Sequence, residues 1–389
     1  MTPQARVQAA IEVLDLVVGA TRDGGAAADT LVRRYFRDRR YAGAKDRRAV
    51  RDLVYAAIRR AGERPRDGRS AMLTLADEDP ALATLFDGAP HGPPPIAEDE
   101  PRARAGPAPA WLAELLPAED LAALCARAPL DLRVNIVRSD RASVVAALGG
   151  EVTPHAPAGV RLHEPIQIEQ HPLFLSGAVE IQDEGSQLAA LACAVRPGMT
   201  VVDLCAGAGG KTLALAAEME NCGRIIACDS DRGRLSRLPP RAERAGVSIV
   251  ETRLLDAGRE AAALDDLAGE ADVVLVDAPC SGTGTWRRNP EARWRITPRR
   301  LAAVAATQAQ LLDLAGPLVA PGKRLVYAVC SLLDSEGPDQ AAAFLERHPG
   351  WTVTDLDMTA GVARGVGRRL SPATDGTDGF FVAAFVRPW

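Results

Sequence analysis

The sequence lacks paired cysteines and clustered histidines. Its seven cysteines contain no CxxC pair, and an odd number of cysteines in a long chain argues against both a disulfide framework and a zinc ribbon. The five histidines are scattered and form no metal-ligand spacing. We therefore expect no bound metal, and we expect any functional cysteine to act as a thiol.

Long apolar runs are also missing. No uninterrupted run approaches the roughly 20 residues that a membrane helix needs, and the first residues, MTPQARVQAAIEVLDLVVGA, contain acids and no clear cleavage region of a signal peptide. The composition is 47% hydrophobic and 25% charged, as in ordinary soluble proteins. We therefore expect a cytoplasmic monomer that has no membrane partner.

Positive charge is not in excess overall, since the formal net charge is −5. Two segments are nevertheless basic: residues 31–60 hold eleven Lys or Arg against three acids, and residues 286–300 hold six arginines against one glutamate. Aromatic residues lie among these charges, namely Tyr35, Phe36, Tyr41, Trp286 and Trp294. Such segments suit an RNA backbone and unpaired bases, although solvated helix faces would explain residues 31–60 equally well.

The chain changes texture along its length. Residues 1–86 show apolar residues at helical spacing, which predicts an all-helical domain with Asp46 as one helix N-cap. Residues 87–110 are rich in proline, glycine and acids, as is typical of a linker. Residues 111–175 indicate a small α/β module. In residues 176–389, continuous apolar strands alternate with helices, which predicts a mostly parallel, doubly wound sheet.

A glycine-rich turn, VVDLCAGAGGKT (201–212), joins a predicted strand to a predicted helix. In such folds, ligands bind at this carboxyl end of the strands. The turn fails two phosphate-binding patterns, because a P-loop requires glycine where Cys205 stands and the dinucleotide fingerprint requires glycine where Thr212 stands. S-adenosylmethionine carries no phosphate and needs close backbone approach together with an acid for its ribose hydroxyls. It is therefore the candidate ligand.

Two acids follow the next two predicted strands. Asp229 ends the first strand, twenty positions after Gly209, which is the offset expected for an acid that binds a ribose. Asp256 ends the second and is a candidate contact for the adenine. A turn and two helix caps would explain each feature separately but not the set, so we interpret the set as a binding site for S-adenosylmethionine.

Two apolar runs end in a Cys-Ser pair. Asp277 and Cys280 lie at the end of the run VVLVDAPCS, and Cys330 lies at the end of the run RLVYAVCSL. Carbon 5 of cytosine is a poor nucleophile until a thiolate adds to carbon 6, and cysteine suits that role. An acid near N3 of the base, such as Asp277, would help the addition. Chemistry alone leaves open which thiol attacks; the Pro-Cys thiol attacks in DNA cytosine methyltransferases, which would indicate Cys280.

Several segments together resemble the NOL1/NOP2/Sun family of RNA 5-methylcytosine methyltransferases: VEIQDEGSQLAA, DLCAGAGGKT, DAPCSGTGTWRRNPE, YAVCSL and DGFFVAAF. The helical run DRRAVRDLVYAAIRR looks like the NusB-like domain of the bacterial ribosomal members, and the module that contains LRVN resembles their small RNA-binding domain. The resemblance implies a Rossmann-like methyltransferase domain preceded by an all-α NusB-like domain. It also implies S-adenosylmethionine as cofactor and 16S rRNA as the expected substrate.

The resemblance assigns roles to individual positions. Cys330 matches the nucleophile, and Cys280 matches the second cysteine, which assists product release. Asp277 and Lys211 match side chains that hold the target base. The implied cofactor contacts are Cys205, Ala206, Gly207, Ala208, Gly209, Gly210, Lys211, Asp229, Arg234, Asp256 and Asp277.

The sequence departs from the family at two positions and leaves other functions open. Ala208 stands where proline is usual and Val329 where threonine is usual, but neither position supplies essential chemistry. Transfer RNA is the alternative substrate. A non-catalytic RNA-binding protein with a degenerate methyltransferase body is a further alternative, which the complete set of acids and thiols argues against. A small-molecule or protein methyltransferase would need neither the two thiols nor the basic segments.

Overall fold

A computed structural model of the protein describes residues 1–164 and 166–389. By their contacts, these residues form two units: unit 1 is Met1–Arg127 with Thr285–Thr297, and unit 2 is Ala128–Gly284 with Pro298–Trp389. A short segment from the middle of the predicted strand-helix alternation therefore belongs to the helical unit.

Unit 1 is helical where the sequence predicts helices. Its α-helices are α1 (Pro3–Asp23), α2 (Ala28–Arg37), α3 (Ala44–Arg60), α4 (Gly68–Ala76), α5 (Pro80–Ala83), α6 (Ala110–Ala113) and α7 (Ala118–Leu124). The segment that returns from residue 285 forms a 3-10 helix at Pro290–Arg295. The apolar stripes of α1, α3 and α4 pack into one core, in which Val13, Val54 and Met72 are fully buried.

Local sequence signals set several helix ends in unit 1. At the start of α4, Asp67 and Ser70 form a capping box, in which each side chain accepts a hydrogen bond from the other residue's backbone N–H. The prediction that Asp46 caps a helix is wrong, because α3 begins two residues earlier, after Gly43. The Asp46 carboxylate instead accepts a hydrogen bond from Arg6 Nε at 2.8 Å.

The proline-rich stretch 87–110, which the sequence indicates as a linker, is tied to the helices of unit 1. Ala103 N donates to the Ser70 carbonyl at 3.1 Å, and Arg69 forms an ion pair with Glu100, 31 positions along the chain. Helices α6 and α7, which lie after this stretch, belong to the same unit. The composition of this stretch predicts its irregular backbone, but it does not predict hydrogen bonds and ion pairs with residues about 30 positions away in the sequence.

Among the described residues, unit 2 contains two sheets. The strands are β1 (Leu130–Val134), β2 (Glu151–Val152), β3 (Gly159–Leu162), β4 (Val179–Ile181), β5 (Thr200–Asp203), β6 (Arg224–Asp229), β7 (Val250–Leu254), β8 (Ala271–Asp277), β9 (Val319–Val329), β10 (Thr352–Val353), β11 (Val362–Arg364), β12 (Gly367–Leu370) and β13 (Phe380–Val386). The helices are α8 (Arg141–Leu148), α9 (Pro172–Leu175), α10 (Glu184–Leu191), α11 (Gly210–Glu218), α12 (Arg232–Leu235), α13 (Leu238–Ala245), α14 (Glu260–Ala263), α15 (Pro298–Ala315) and α16 (Pro338–Arg347). In the part of the chain that the structure describes, we find no helix that is both long and apolar enough to cross a bilayer.

The smaller sheet has the order β2-β3-β1-β4, and its neighbouring strands are antiparallel. Helix α8 lies beside it and ends at Gly149, whose φ is +68°. The sheet reaches past residue 175, where the sequence places the end of the module, because β4 pairs with β1 through Leu132 and Ile181.

The larger sheet has the order β11-β12-β13-β9-β8-β5-β6-β7, and β10 pairs with β13. Strands β9, β8, β5, β6 and β7 run parallel, and β13 runs antiparallel to β9. Successive strand residues alternate between two cores: Val201 lies with helices α10 and α11, and Val202 lies with α15 and α16. This is the mostly parallel, doubly wound sheet that the sequence predicts, and it places five strand ends along one edge.

Candidate active site

Two cysteine side chains meet at the carboxyl edge of the larger sheet. Strands β8 and β9 are parallel neighbours in a register that pairs Asp277 with Ala328, so the turns that follow them start side by side. Cys280 lies in the first turn and Cys330 in the second, and their Sγ atoms are 3.3 Å apart. Both side chains are half-buried. The fold thus brings together two thiols that lie 50 positions apart in the sequence.

A buried carboxylate, which the sequence interpretation missed, connects the two turns. Glu336 accepts hydrogen bonds from Ser281 N at 2.7 Å, from Ser331 Oγ at 2.5 Å and from Ser281 Oγ. Gln308 in α15 also donates to it, at 3.3 Å. Each serine directly follows one of the two cysteines. The available signal was an acid five residues after the second Cys-Ser pair.

The cysteines differ in their surroundings. The hydrogen bond to Cys330 raises the pKa of Cys280 well above its ordinary value, and burial and the charges of Cys330 and Glu336 act in the same direction. Burial also raises the pKa of Cys228, to about 12. Cys228 lies on β6 and, like Cys193, is fully buried among apolar side chains, where a cysteine packs as a small apolar residue.

Lys211 and Asp277 form an ion pair, and Lys211 also interacts electrostatically with Cys330. Lys211, in the first turn of α11, donates to the carboxylate of Asp277 at 2.7 Å, and its side chain is only 9% exposed. Burial would lower the pKa of Lys211, but the charge of Asp277 and its hydrogen bond outweigh burial, so the pKa is raised. The ammonium also lies 5.1 Å from the centre of the Phe380 ring. Asp277 and Lys211 are therefore brought together as charged partners.

The glycine turn folds as the sequence predicts. Gly207 and Gly209 have φ values of +57° and +85°, in the left-handed region that favours glycine. Gly207 N donates to Asp229 Oδ2 at 2.7 Å, and Asp231 N donates to the other carboxylate oxygen at 2.7 Å. A side chain on Gly209 would collide with Leu238, because its Cβ would lie 2.1 Å from Leu238 Cδ1. Asp229 thus ties the glycine turn to the end of β6.

Two arginines lie against this turn. A Cβ on Gly207 would be 2.5 Å from Arg234 Nη2, so the predicted contact residue Arg234 is adjacent to the turn. Arg241, which the sequence interpretation missed, donates from Nη1 to the Ala208 carbonyl at 2.6 Å and forms an ion pair with Glu180 at 2.9 Å. Where the family usually has proline, the backbone at Ala208 is thus held by a hydrogen bond from the Arg241 side chain.

The acid at the end of β5 was also missed. Asp203 is fully buried, and its Oδ2 accepts from Thr212 Oγ1 at 2.7 Å. Burial raises its pKa to about 7, the Asp277 charge adds to the increase, and the Thr212 hydrogen bond opposes it. The sequence signal was available, because Asp203 follows two apolar strand residues directly before the glycine turn.

Asp256 lies farther from a strand end than the sequence predicts. Strand β7 ends at Leu254, and Asp256 follows two residues later as an exposed side chain. Its carbonyl accepts from Arg259 N at 3.0 Å. Because β7 is the neighbour of β6 in the sheet, Asp256 and Asp229 still follow strand ends at the same edge.

The basic segment 286–300 is largely occupied inside unit 1. Trp286 and Trp294 are 0% and 4% exposed, so the expectation that they are available to stack on bases is wrong. Arg293 is fully buried and donates from Nη2 to the Ile58 carbonyl at 2.6 Å, at the C-terminal end of α3. The segment thus contributes helix-capping cations and core aromatics, although its composition resembles that of an RNA-binding stretch.

The other basic stretch, residues 31–60, keeps most of its charge exposed. Tyr35 and Phe36 are buried, whereas Tyr41 is 74% exposed. The exposed cations, which we call the α2–α3 cations, are Arg33, Arg34, Arg37, Arg40, Lys45, Arg47, Arg48 and Arg51. This stretch therefore offers positive charge to a polyanion.

Comparison with known proteins shows similarity to a family of methyltransferases. The family model described as "16S rRNA methyltransferase RsmB/F" matches residues 190–386. Proteins named ribosomal RNA small subunit methyltransferase B from Salmonella typhi and from Salmonella agona are each 35% identical over 271 residues, which cover 67% of this chain. The match spans 60% of the length of these relatives.

Solved structures share the fold. A protein called PH0851 superposes with a TM-score of 0.80 over 99% of both chains at 24% identity. NSun6 from Pyrococcus horikoshii, solved with SFG, gives a TM-score of 0.64 over 71% of this chain and 96% of its own at 19% identity. A methyltransferase homolog from Pyrococcus horikoshii gives 0.61 over 69% and 90% at 29% identity. These likenesses confirm the predicted fold class, a Rossmann-like α/β domain preceded by a helical region that fits a NusB-like domain.

Proposed function

Because the chain belongs to the 16S rRNA methyltransferase RsmB/F family, we propose that it transfers a methyl group from S-adenosylmethionine to carbon 5 of a cytosine in 16S rRNA. The observation that supports the proposal is the contact between the Cys280 and Cys330 thiols at the carboxyl edge of the larger sheet. Methyl transfer to a nitrogen or oxygen atom needs no thiol nucleophile, whereas transfer to carbon 5 of cytosine needs one.

The residues around the glycine turn fit S-adenosylmethionine. The left-handed glycines leave a backbone surface without side chains, and the Asp229 carboxylate ends at the same turn. We expect Cys205, Ala206, Gly207, Ala208, Gly209 and Gly210 to hold the methionine end of the cofactor, and Asp229, Arg234 and Asp256 to hold its ribose and adenine. When bound, this cofactor supplies the methyl group as an electrophile.

The protein's own groups then act on the cytosine. The Cys330 thiolate forms a bond to carbon 6, which makes carbon 5 nucleophilic. Lys211 and Asp277 bind the edge of the base that carries N3 and stabilise the charge that develops there. After carbon 5 has gained the methyl group, a base removes the carbon 5 proton, and the electron pair of that carbon–hydrogen bond re-forms the carbon 5–carbon 6 double bond. The electron pair of the carbon–sulfur bond leaves with the sulfur of Cys330, which returns to the thiolate. Cys280, 3.3 Å from the departing sulfur, assists this release.

The test is methyl transfer from labelled S-adenosylmethionine to three substrates: free 16S rRNA, an assembling small-subunit particle and transfer RNA. Mass spectrometry of the digested nucleosides is expected to show 5-methylcytidine in 16S rRNA. Label in transfer RNA alone would overturn the substrate assignment. RNA binding without any methyl transfer would identify a non-catalytic RNA-binding protein instead. Bisulfite sequencing of RNA from cells that lack the gene would then locate the cytosine.

The roles of the two thiols are tested by alanine variants. Cys330→Ala should abolish methylation and form no adduct. Cys280→Ala should retain the attacking thiol but release the RNA poorly, so a covalent protein–RNA band should appear on a denaturing gel. Cys222→Ala, which alters an exposed cysteine, is the control and should behave like the unmodified protein. An adduct from Cys330→Ala and none from Cys280→Ala would reverse the two roles.

A further inference from the structure

We propose that Glu336 is a positioning residue that holds both cysteine turns together and keeps the shared proton of the thiol pair on Cys280, so that Cys330 is the thiol that ionises and attacks. This inference rests on the proposed function, since it explains how two adjacent thiols come to have different tasks. Glu336 itself touches neither thiol through a hydrogen bond and acts through Ser281 and Ser331.

The first argument is geometric. We call Glu336, Ser281 and Ser331 the carboxylate clasp. The carboxylate accepts from the backbone N–H and the hydroxyl of Ser281, and from the hydroxyl of Ser331. Because each serine is bonded covalently to one of the two cysteines, these hydrogen bonds fix the separation of the two turns. Gly284 N also donates to the Cys330 carbonyl at 3.1 Å, so the clasp adds side-chain contacts to a backbone contact in holding the thiol pair at 3.3 Å.

The clasp is supported on every side. The Tyr327 hydroxyl of β9 donates to the backbone carbonyl of Glu336 at 2.5 Å. Gln308 of α15 donates to the carboxylate and also, at 3.0 Å, to the Pro279 carbonyl in the first cysteine turn. Thr283 Oγ1 lies 3.0 Å from Ser331 Oγ. Such a buried hydrogen-bonded network restricts the arrangement of its members, although Gln308 Oε1 has no hydrogen-bond partner among the described residues.

The second argument is electrostatic. The donors to Glu336 named above are neutral, so they stabilise a carboxylate without cancelling its charge. The hydrogen bond to Cys330 and burial are the main causes that raise the pKa of Cys280, and the Glu336 charge adds to them. Burial opposes the raised pKa of Lys211, the Asp277 charge and hydrogen bond are its main causes, and the charge of Cys330 adds to it. The Lys211 ammonium and a Cys330 thiolate therefore attract each other.

Cys280 therefore interacts with a negative group, and Cys330 interacts with a positive one. The titratable groups that interact with the two thiols are Glu336, Tyr327 and Lys211, and Asp277 is the ion-pair partner of Lys211. An anionic thiolate is favoured next to the ammonium, and a neutral thiol is favoured next to the carboxylate. The neutral Cys280 thiol can donate its proton in an S–H···S hydrogen bond to Cys330, which agrees with the 3.3 Å separation.

The test uses the full chain without RNA or cofactor, so it does not depend on methyltransferase activity. Iodoacetamide alkylates thiolates, and peptide mass spectrometry gives the rate at each cysteine between pH 6 and pH 9. In the unmodified protein, Cys330 should react faster than Cys280. In Glu336→Gln, which keeps the shape but removes the charge, Cys280 should gain reactivity, and the rate ratio should fall by about tenfold, the change that one pKa unit produces.

Matched variants separate positioning from general stability. Glu346→Gln changes an exposed glutamate in α16 and should leave the alkylation ratio unchanged. Ser331→Ala keeps the carboxylate charge but frees one turn, so it should preserve the order of alkylation. The same variant should lower kcat for methylation severalfold without changing KM for S-adenosylmethionine.

Two results would overturn the inference: an unchanged alkylation ratio in folded Glu336→Gln, and an unchanged kcat in Ser331→Ala. If Glu336→Gln does not fold, the Ser331→Ala result decides alone. Failure of the proposed function is distinguishable, because it would appear as absent 5-methylcytidine with the unmodified protein while the alkylation pattern still responds to Glu336.

Discussion

The Lys211 ammonium lies 2.7 Å from the Asp277 carboxylate and joins the start of α11 to the end of β8. Lys211→Met should lower kcat for methylation by about 100-fold, because removal of one partner of a partly buried pair leaves the other charge uncompensated and the base edge without its cation. Initial-rate assays at saturating cofactor measure the effect. Lys323→Met, which breaks the more exposed Lys323–Asp272 pair, should retain activity. Full activity of Lys211→Met would exclude a role in base binding.

Asp229 offers a test of the cofactor site that is independent of catalysis. Its two oxygens accept backbone N–H groups from Gly207 and Asp231, each at 2.7 Å. In Asp229→Asn the new amide NH2 would face one of these N–H donors, so the turn should loosen. The Kd for S-adenosylmethionine, measured by isothermal titration calorimetry, should rise by about tenfold or more. Asp265→Asn alters an exposed acid and should leave this Kd unchanged; an equal Kd in both variants would argue against Asp229 as a cofactor residue.

Asp203 predicts a pH dependence of stability. Burial raises its pKa from 3.8 to about 7, so the folded protein holds this proton at pH values where the unfolded chain has released it. The stability that this group contributes is therefore fully present below about pH 4 and is lost as the pH rises through about 7. The unmodified protein should lose more thermal stability between pH 5 and pH 8 than Asp203→Asn, whose side chain does not titrate. Melting curves at several pH values measure the difference, and parallel profiles would contradict the raised pKa.

The sequence predicts the part of the site that is encoded locally. The glycine turn, Asp229 and the two Cys-Ser pairs each end an apolar strand, and parallel strands bring their ends to one edge. Glu336 was missed because its role depends on Ser281, 55 positions away. Distance along the chain also explains why residues 286–300 were interpreted as an RNA-binding segment. Composition cannot reveal that Arg293 donates to the Ile58 carbonyl, 235 positions away.

Arg293 is expected to stabilise unit 1 rather than to bind RNA. Its Nη2 donates to the carbonyls of Ile58, Arg59 and Ala61 at 2.6 to 3.0 Å, at a helix end where carbonyl groups lack partners. Arg293→Met should remove the donor to the Ile58 and Arg59 carbonyls, while the Ala61 carbonyl keeps Trp294 Nε1 as a donor, and should reduce the free energy of unfolding by about 2–4 kcal/mol. Urea unfolding measures this loss, with exposed Arg64→Met as the control. Unchanged stability together with weaker RNA binding would instead place Arg293 at the RNA.

The α2–α3 cations are expected to provide RNA affinity. Arg34 and Arg40 are exposed, and each cation that contacts a phosphate adds about 0.7–0.9 to the slope of log affinity against log salt, because binding releases counterions. The double variant Arg34→Gln, Arg40→Gln should therefore weaken binding to 16S rRNA at low salt and reduce this slope by about 1.5. Filter-binding assays at several salt concentrations between about 50 and 300 mM measure the slope. The double variant Arg22→Gln, Arg64→Gln removes the same charge from exposed positions of unit 1 outside this stretch. If both double variants lower the slope equally, net charge alone accounts for the affinity, and the α2–α3 cations form no specific RNA contact.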